Sequence, residues 1–276
     1  MKNLNEIAKV LRRDIFKTAF VSKTGHIAPA FSCIDIMTAL YFGDILKYDA
    51  NDPYNEDRDR FILSKGHACL SLYVCLAKAG FVDSESLKTY CTIGENHFGG
   101  HPVMGDTPGI EATTGSLGHG LAFAVGIALT AKLDNKDNHT YVLLGDGECQ
   151  EGSIWESALF ASSRDLNNLT AIVDYNKLQA MDRLENIVDM GDFEKKWETF
   201  GWHVVRINGH NFDEILDAFK NHHSLKPKVI IADTIKGKGV SFMENVPLWH
   251  IRFPNDDELE ILLNELDFTK EELYSQ

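Results

Sequence analysis

Positive charge is scarce in this chain. Its 276 residues carry 27 Lys and Arg against 41 Asp and Glu, a formal net charge of −14. That balance argues against nucleic acid or an anionic membrane as the main partner. Any phosphate must then be held by a local device: a metal, helix N-termini or histidines. Cysteine is sparse too. Cys33, Cys69, Cys75, Cys91 and Cys149 are odd in number and form no CxxC pair, so a reduced, cytoplasmic protein is expected. Long apolar runs are missing: the longest, 121–131, is too short to span a bilayer. The N-terminus, MKNLNEIAKVLRRDIF, has no signal-peptide core. Repeats, low-complexity segments and linkers are absent as well. What remains fits a single domain over 1–276, long enough to bury a substantial core.

The most informative stretch runs from 140 to 179. An apolar, β-rich run at 141–144 stops at Gly145-Asp146-Gly147, and a second at 171–173 stops at Asp174-Tyr175-Asn176. Between them Ile154, Ala158, Leu159 and Ala161 recur at helical spacing. The layout is strand, helix, strand. In a parallel sheet the carboxyl ends of such strands lie side by side, where open α/β folds bind ligands. Asp146 offers a carboxylate and Asn176 an amide oxygen, hard ligands that suit a magnesium ion holding phosphate oxygens. The two glycines are expected to allow close backbone approach and to take positive φ. Two ordinary βα turns with no ligand also fit, because Asp-Gly is common turn chemistry.

Elsewhere, Leu4, Ile7, Ala8, Leu11 and Ile15 mark one face of a first helix ending near Thr24-Gly25-His26. A second helix is expected from Pro29 to Phe42, since proline suits a first turn. Residues 60–63 form a strand candidate leading into Ser64-Lys65-Gly66-His67, followed by a helix carrying Leu70, Leu72, Val74 and Leu76. Residues 91–114 read as loops. A helix rich in small residues is expected over 115–133; its glycine-rich start could face an anion, and its small residues permit close packing against another backbone. Beyond 200, strands are expected at 203–207 and 229–233, a helix capped by Asn211 at 212–219, a flexible loop at 234–239 and a last helix at 256–266. Strands alternating with helices imply a doubly wound, mostly parallel α/β sheet with helices on both faces.

Eight short motifs then occur in order: TGH at 24–26, SKGHA at 64–68, GGHP at 99–102, TTGSLGHG at 113–120, GDGECQEG at 145–152, VDYNKLQ at 173–179, KGKG at 236–239 and WH at 249–250. In these the sequence resembles the N-terminal third of transketolase, the domain that holds the diphosphate of thiamine diphosphate, and most of all the shorter chain of a split transketolase. The resemblance implies that Asp146, Asn176 and the Leu178 carbonyl hold Mg²⁺, or Ca²⁺ or Mn²⁺ in its place. It implies that Gly115, Ser116 and Leu117 line the cofactor, that Gly147 lets backbone reach the diphosphate, and that His67 and His250 contact diphosphate oxygens. His26, His101 and His250 would face the substrate, a task that suits a group switching near neutral pH. Glu151 would belong to an acidic network joining paired active sites. The other seven histidines are expected at the surface, and Cys149 receives no role.

The activity so implied is transfer of a two-carbon ketol unit from a ketose to an aldehyde, the cofactor supplying the chemistry. The substrates would be sugars or sugar phosphates. In that family the pyrimidine-binding and C-terminal domains follow this one, so a second chain carrying them is expected, with two copies of each chain. There are departures. Ile27-Ala28-Pro29-Ala30-Phe31-Ser32 stands where the family has a glycine-containing run, which would reshape the wall beside His26; Ile251 stands where Gly is usual, His119 where Gln is common and Ser116 where Pro is common. They leave open a related carboligase acting on an unusual sugar. Further alternatives are a 2-oxo acid dehydrogenase α chain and a non-catalytic binding subunit.

Overall fold

A computed structural model describes residues 3–92, 98–105, 107–221, 223 and 225–274. In chain order the elements are α1 (Leu4–Ser22), α2 (Ile27–Phe42), β1 (Arg60–Leu63), α3 (Cys69–Ala79), α4 (Gly120–Leu133), β2 (Thr140–Gly145), α5 (Gly152–Ser163), β3 (Leu169–Tyr175), α6 (Leu184–Ile187), α7 (Phe193–Thr199), β4 (His203–Asn208), α8 (Phe212–Lys220), β5 (Lys228–Asp233), α9 (Asp256–Glu265) and α10 (Lys270–Tyr274). All five strands are parallel, in the order β1-β2-β3-β5-β4.

The period of two along each strand divides the core. Phe61, Leu63, Tyr141, Leu143, Ile172, Ile230 and Ala232 point to one face, where α1, α2, α3, α8 and α9 pack. Ile62, Val142, Leu144, Ala171, Val173, Val229 and Ile231 point to the other, against α4, α5 and α7. Both faces are covered, so the strands read as continuous apolar runs. The chain steps from β1 to β3 with α5 on the second face, passes to edge strand β4, and returns to β5 across the first face through α8. This is the expected doubly wound sheet.

The register sets the ligand-bearing edge. Gly145 pairs with Asp174, and Tyr175 with Asp233. Asp146, Asn176 and Thr234 therefore each stand just past the end of adjacent strands. Ser64 joins them, its N–H donating to the Leu143 carbonyl at 2.9 Å.

Two helix starts differ from expectation. α2 begins at Ile27, with Pro29 inside the first turn where a missing N–H costs nothing. α4 begins at Gly120, leaving 115–119 as loop. The Asn211 cap is present, its side chain accepting from Asp213 N–H at 3.0 Å and Glu214 N–H at 3.4 Å. Among the described residues no helix is long and apolar enough to cross a membrane.

Candidate active site

Four histidines arrive from four separate segments. His26 caps α2, His67 lies in a single 3₁₀ turn after β1, His101 is on the loop before residue 105, and His250 ends a 3₁₀ turn at Pro247–His250. Their rings meet around His26, with centroids 5.5 Å to His67, 6.2 Å to His101 and 5.1 Å to His250; His67 and His250 are 5.3 Å apart. Trp249 makes this placement possible. It is buried against Phe242, 4.8 Å between rings, and so turns the next side chain toward the cluster. Gly115 has φ +142°, and a Cβ there would sit 2.7 Å from the His101 ring. Only glycine lets that ring lie against the loop.

Burial pushes His26 down to about 4, and the charges of His101, Lys236 and Lys65 add to it. His250 is pushed down to about 3 by burial, then Lys236 and His26. His67 falls well below its ordinary value for the same reasons. These three rings are therefore uncharged at neutral pH.

Side by side at the same sheet edge lie the loop after β2, which carries Asp146, and the loop after β3, which carries Asn176 and Leu178. Asp146 is 3% exposed. Its carboxylate accepts from Gly147 N–H at 2.7 Å and Lys177 N–H at 2.5 Å. Asn176 Oδ1 accepts from Leu178 N–H at 3.0 Å. Burial, then the charge on Asp174, pushes Asp146 up to about 7 despite its two N–H donors. A carboxylate so disfavoured as an anion is relieved by a cation, and the neighbouring loop after β3, whose Lys177 N–H reaches Asp146, offers an amide oxygen and a carbonyl. These residues fit a hard divalent ion. Among the described residues no group of three His, Cys, Asp or Glu side chains is placed to hold a metal, so any such ion would depend on this mixed oxygen set.

The glycine expectation fails for both residues of this turn. Neither Gly145 nor Gly147 takes positive φ. Gly145 is an ordinary strand end, whereas a Cβ on Gly147 would meet the Gln179 side chain at 2.9 Å, so close approach there is to Gln179. Ser116 and Leu117 are exposed beside Gly115. Glu151 is also exposed, at the cap of α5, and lies against Gly118 rather than in the cluster. Cys149 is buried, its Sγ 3.3 Å from the Gly145 carbonyl. The replaced run 27–31 is wholly buried in α2, where the Ala28 carbonyl accepts from Gly237 N–H at 3.0 Å and the Pro29 carbonyl meets Lys65 Nζ at 3.3 Å. Ile251, by contrast, is 59% exposed next to His250.

Sequence reasoning missed several buried polar residues. Lys65 pairs with Asp174, which also accepts from Ser32 Oγ at 2.7 Å, Asn176 Nδ2 at 3.1 Å and Thr234 Oγ1. Burial is the largest single effect and opposes both charges, but the charge and hydrogen bond of the partner, helped by Thr234 and Ser32 at Asp174 and by Cys33 and Asp146 at Lys65, together overcome it, raising Lys65 and lowering Asp174. Lys236 Nζ donates to the Gln179 carbonyl at 2.9 Å, the Leu178 carbonyl at 3.4 Å and His250 Nδ1 at 2.9 Å. Burial, reinforced by Lys65, pushes its ammonium down to about 8. Glu148 accepts from Ser64 Oγ at 2.5 Å and from Gly118 and Gly145 N–H at 3.0 Å each, tying the 115–119 loop to the strand ends. The one available signal was a charged residue inside or just after an apolar strand, which must find a partner once both sheet faces are covered.

The surface assignment of the other histidines needs correction. His97 and His222 lie outside the described residues, and His119 is exposed. His139 and His203 are half-buried, and His210 is held by Asp35 at 2.7 Å.

Fold and site together define a doubly wound α/β domain with polar oxygens on the loops after β2 and β3, two buried lysines and an uncharged histidine cluster at the carboxyl edge of the sheet. Residues 2–274 match the family described as transketolase, thiamine diphosphate binding domain. The chain is 40% identical over 264 residues to one of the named subunits of the apulose-4-phosphate transketolase of Phocaeicola vulgatus, covering 95% of this chain and 93% of that one. It is 41% identical over 244 residues to 6-deoxy-6-sulfo-D-fructose transketolase subunit SqwG of Clostridium sp. strain MSTE9, covering 88% and 87%. The crystal structure of transketolase from Campylobacter jejuni superposes with a TM-score of 0.90 at 30% identity, covering 97% of this chain but 43% of that one. The chain belongs to the transketolase family of transferases, and carries its thiamine diphosphate-binding domain. That membership sets aside the 2-oxo acid dehydrogenase alternative.

Proposed function

We propose that this chain is the diphosphate-binding subunit of a two-chain transketolase, moving a two-carbon ketol unit from a ketose donor to an aldehyde acceptor. The observation that carries the reading is the convergence of His26, His67, His101 and His250, linked through Lys236 to the loop after β3 that carries Asn176 and Leu178. Asp146, Asn176 and the Leu178 carbonyl would hold Mg²⁺, and thiamine diphosphate would supply the carbanion chemistry when bound. Lys236 uses all three of its N–H donors on Gln179, Leu178 and His250. His250 thereby accepts at Nδ1 and presents its N–H at Nε2. Kept uncharged, His26, His67 and His250 can each donate one hydrogen bond and accept one. Such a wall suits diphosphate or sugar oxygens, which it can bind and orient by hydrogen bonds without a standing charge, and His250, its Nδ1 occupied by Lys236, can only donate to them. Gly115, Ser116 and Leu117 form the loop that would border the cofactor.

The remaining domains are assigned to a second chain, in keeping with the subunit names of the relatives. The small-residue helix α4 and its neighbour α5 expose Phe123, Leu133, Leu159 and Phe160, a surface suited to the expected pairing of chains, with Glu151 at its margin. A second reading, a related carboligase that joins the two-carbon unit to an unusual sugar, is favoured by one observation: Ile251, next to His250 in sequence, stands exposed where the family has glycine. The decisive experiment is to assay ketol transfer with thiamine diphosphate and Mg²⁺, first with this chain alone and then with the product of the neighbouring gene. Activity only in the mixture supports the proposal, and full turnover by the single chain overturns it.

A further inference from the structure

A buried polar cluster lies away from the histidines and is used by nothing described so far. Arg12 in α1 grips Asp35 in α2 through both guanidinium nitrogens, at 2.9 and 2.7 Å. Asp35 also meets His210 Nδ1 at 2.7 Å. Burial would push the Asp35 carboxyl up, but His210 and Arg12 together hold it below its ordinary value. Neither cation nor ring stops at Asp35. Arg12 Nε donates to the Lys238 carbonyl at 3.0 Å, and the Ile235 N–H donates to His210 Nε2 at 2.8 Å. Because a backbone N–H can only donate, His210 Nε2 offers its lone pair, and the ring proton sits on Nδ1 facing the carboxylate.

The two outer contacts land on either side of Lys236. We infer that Asp35, with Arg12 and His210, forms a clamp on residues 235–238 that sets the position of Lys236, and through it the orientation of His250. These three are positioning residues, and the inference rests on the reading above that Lys236 and His250 belong to the active site. Arg12, Asp35 and His210 touch none of the four clustered histidines. Other tethers fix the general course of the loop: Thr234 N–H to the Tyr175 carbonyl at 3.3 Å, Gly237 N–H to the Ala28 carbonyl at 3.0 Å and Asn245 N–H to the Lys236 carbonyl at 2.9 Å. The clamp adds two restraints on the neighbours of Lys236, the step that a buried ammonium with three fixed acceptors requires. Loss of an outer hydrogen-bonding partner that orients a binding group weakens affinity or rate by on the order of 10–100-fold.

Two amide substitutions separate the clamp from a merely structural role. His210→Gln places an acceptor near the position of Nε2 and can still receive the Ile235 N–H, whereas His210→Asn can reach Asp35 but not Ile235. Hydrogen exchange would be followed in peptides spanning 234–240 of the full chain. Thiamine diphosphate affinity with Mg²⁺ would be measured by quenching of tryptophan fluorescence, and kcat and KM with the partner chain present. The expected result for His210→Asn is faster exchange confined to 234–240, affinity weakened roughly tenfold or more, and a fall in kcat; His210→Gln recovers most of each. Unchanged exchange and affinity in His210→Asn overturns the inference. So does an exchange increase spread across the whole sheet, which would make His210 a general stabiliser. If the parent chain takes up no thiamine diphosphate, the functional reading fails, while the exchange comparison still decides the clamp.

Discussion

Separating Lys65 from Asp174 should cost this chain a large part of its stability. Asp174 is 0% exposed, and four donors reach its carboxylate: Lys65, Ser32, Thr234 and Asn176. Asp174→Asn keeps the volume but leaves the Lys65 ammonium buried without its counter-charge. Breaking a buried pair on one side costs about 3–5 kcal/mol. For a chain of this size roughly 2–4 °C of melting temperature is lost per kcal/mol, so a drop of about 6–20 °C is expected. Lys65→Met should cost less, because Asp174 keeps three neutral donors. In the double variant no charge remains, and a coupling of about 2–3 kcal/mol should appear. The pH dependence has a definite sign. Asp174 is held below its ordinary value in the folded chain, so its contribution is complete above the normal carboxylate range and is lost only as pH falls through the lower folded value. The deficit should therefore shrink in acid, and it should also fall somewhat on raising the pH past 7, where Asp146 ionises against the charge of Asp174 in the parent chain alone. Denaturant unfolding of the four proteins is the assay. Strictly additive single effects, within about 0.5 kcal/mol, would refute the claim that the two charges depend on each other.

Asp146→Asn should abolish Mg²⁺-dependent cofactor binding yet raise the metal-free melting temperature at pH 8, because a carboxylate pushed up to about 7 destabilises the fold once ionised; a lower melting temperature would count against it. In the parent chain, calorimetric Mg²⁺ affinity in the presence of thiamine diphosphate should tighten by up to about tenfold per pH unit toward pH 7 and level off above it, as the ligand loses its proton. His26→Ala and His101→Ala should each lower kcat by on the order of 10²–10⁴-fold with cofactor affinity little changed; the reverse pattern in titrations and steady-state kinetics would exchange their roles with those of His67. Replacing exposed Phe160 with Asp should lower the assembly state seen by analytical ultracentrifugation while leaving the circular dichroism spectrum intact, and an unchanged sedimentation profile would remove α5 from the interface.

The order of strands and helices was legible because each element advertises its own period. The runs at 61–63, 141–144, 171–173 and 229–232 are apolar throughout, as strands covered on both faces must be. Less legible were the starts of α2 and α4. Proline at 29 marks a first turn without saying which position of it, and the glycines from 115 to 120 serve a loop as readily as a helix. The four site histidines could be named from their motifs, and so could Asp146 and Asn176. The departures at 27–31 and at 251 look alike on paper. One is buried packing in α2 and the other an exposed side chain next to His250 in sequence.

By itself, then, the sequence determined the α/β alternation, the two strand ends past which Asp146 and Asn176 stand, and the family. Tertiary structure decided which buried charges answer one another. Lys65 lies 109 residues from Asp174, Arg12 lies 23 residues from Asp35, and His210 lies 175 residues from the same carboxylate. Hydrophobic periodicity reports only what a residue shares with its neighbours along the chain. A charge that folding removes from water is satisfied by whatever the winding of the sheet brings across to it, and that partner leaves no mark in the local pattern.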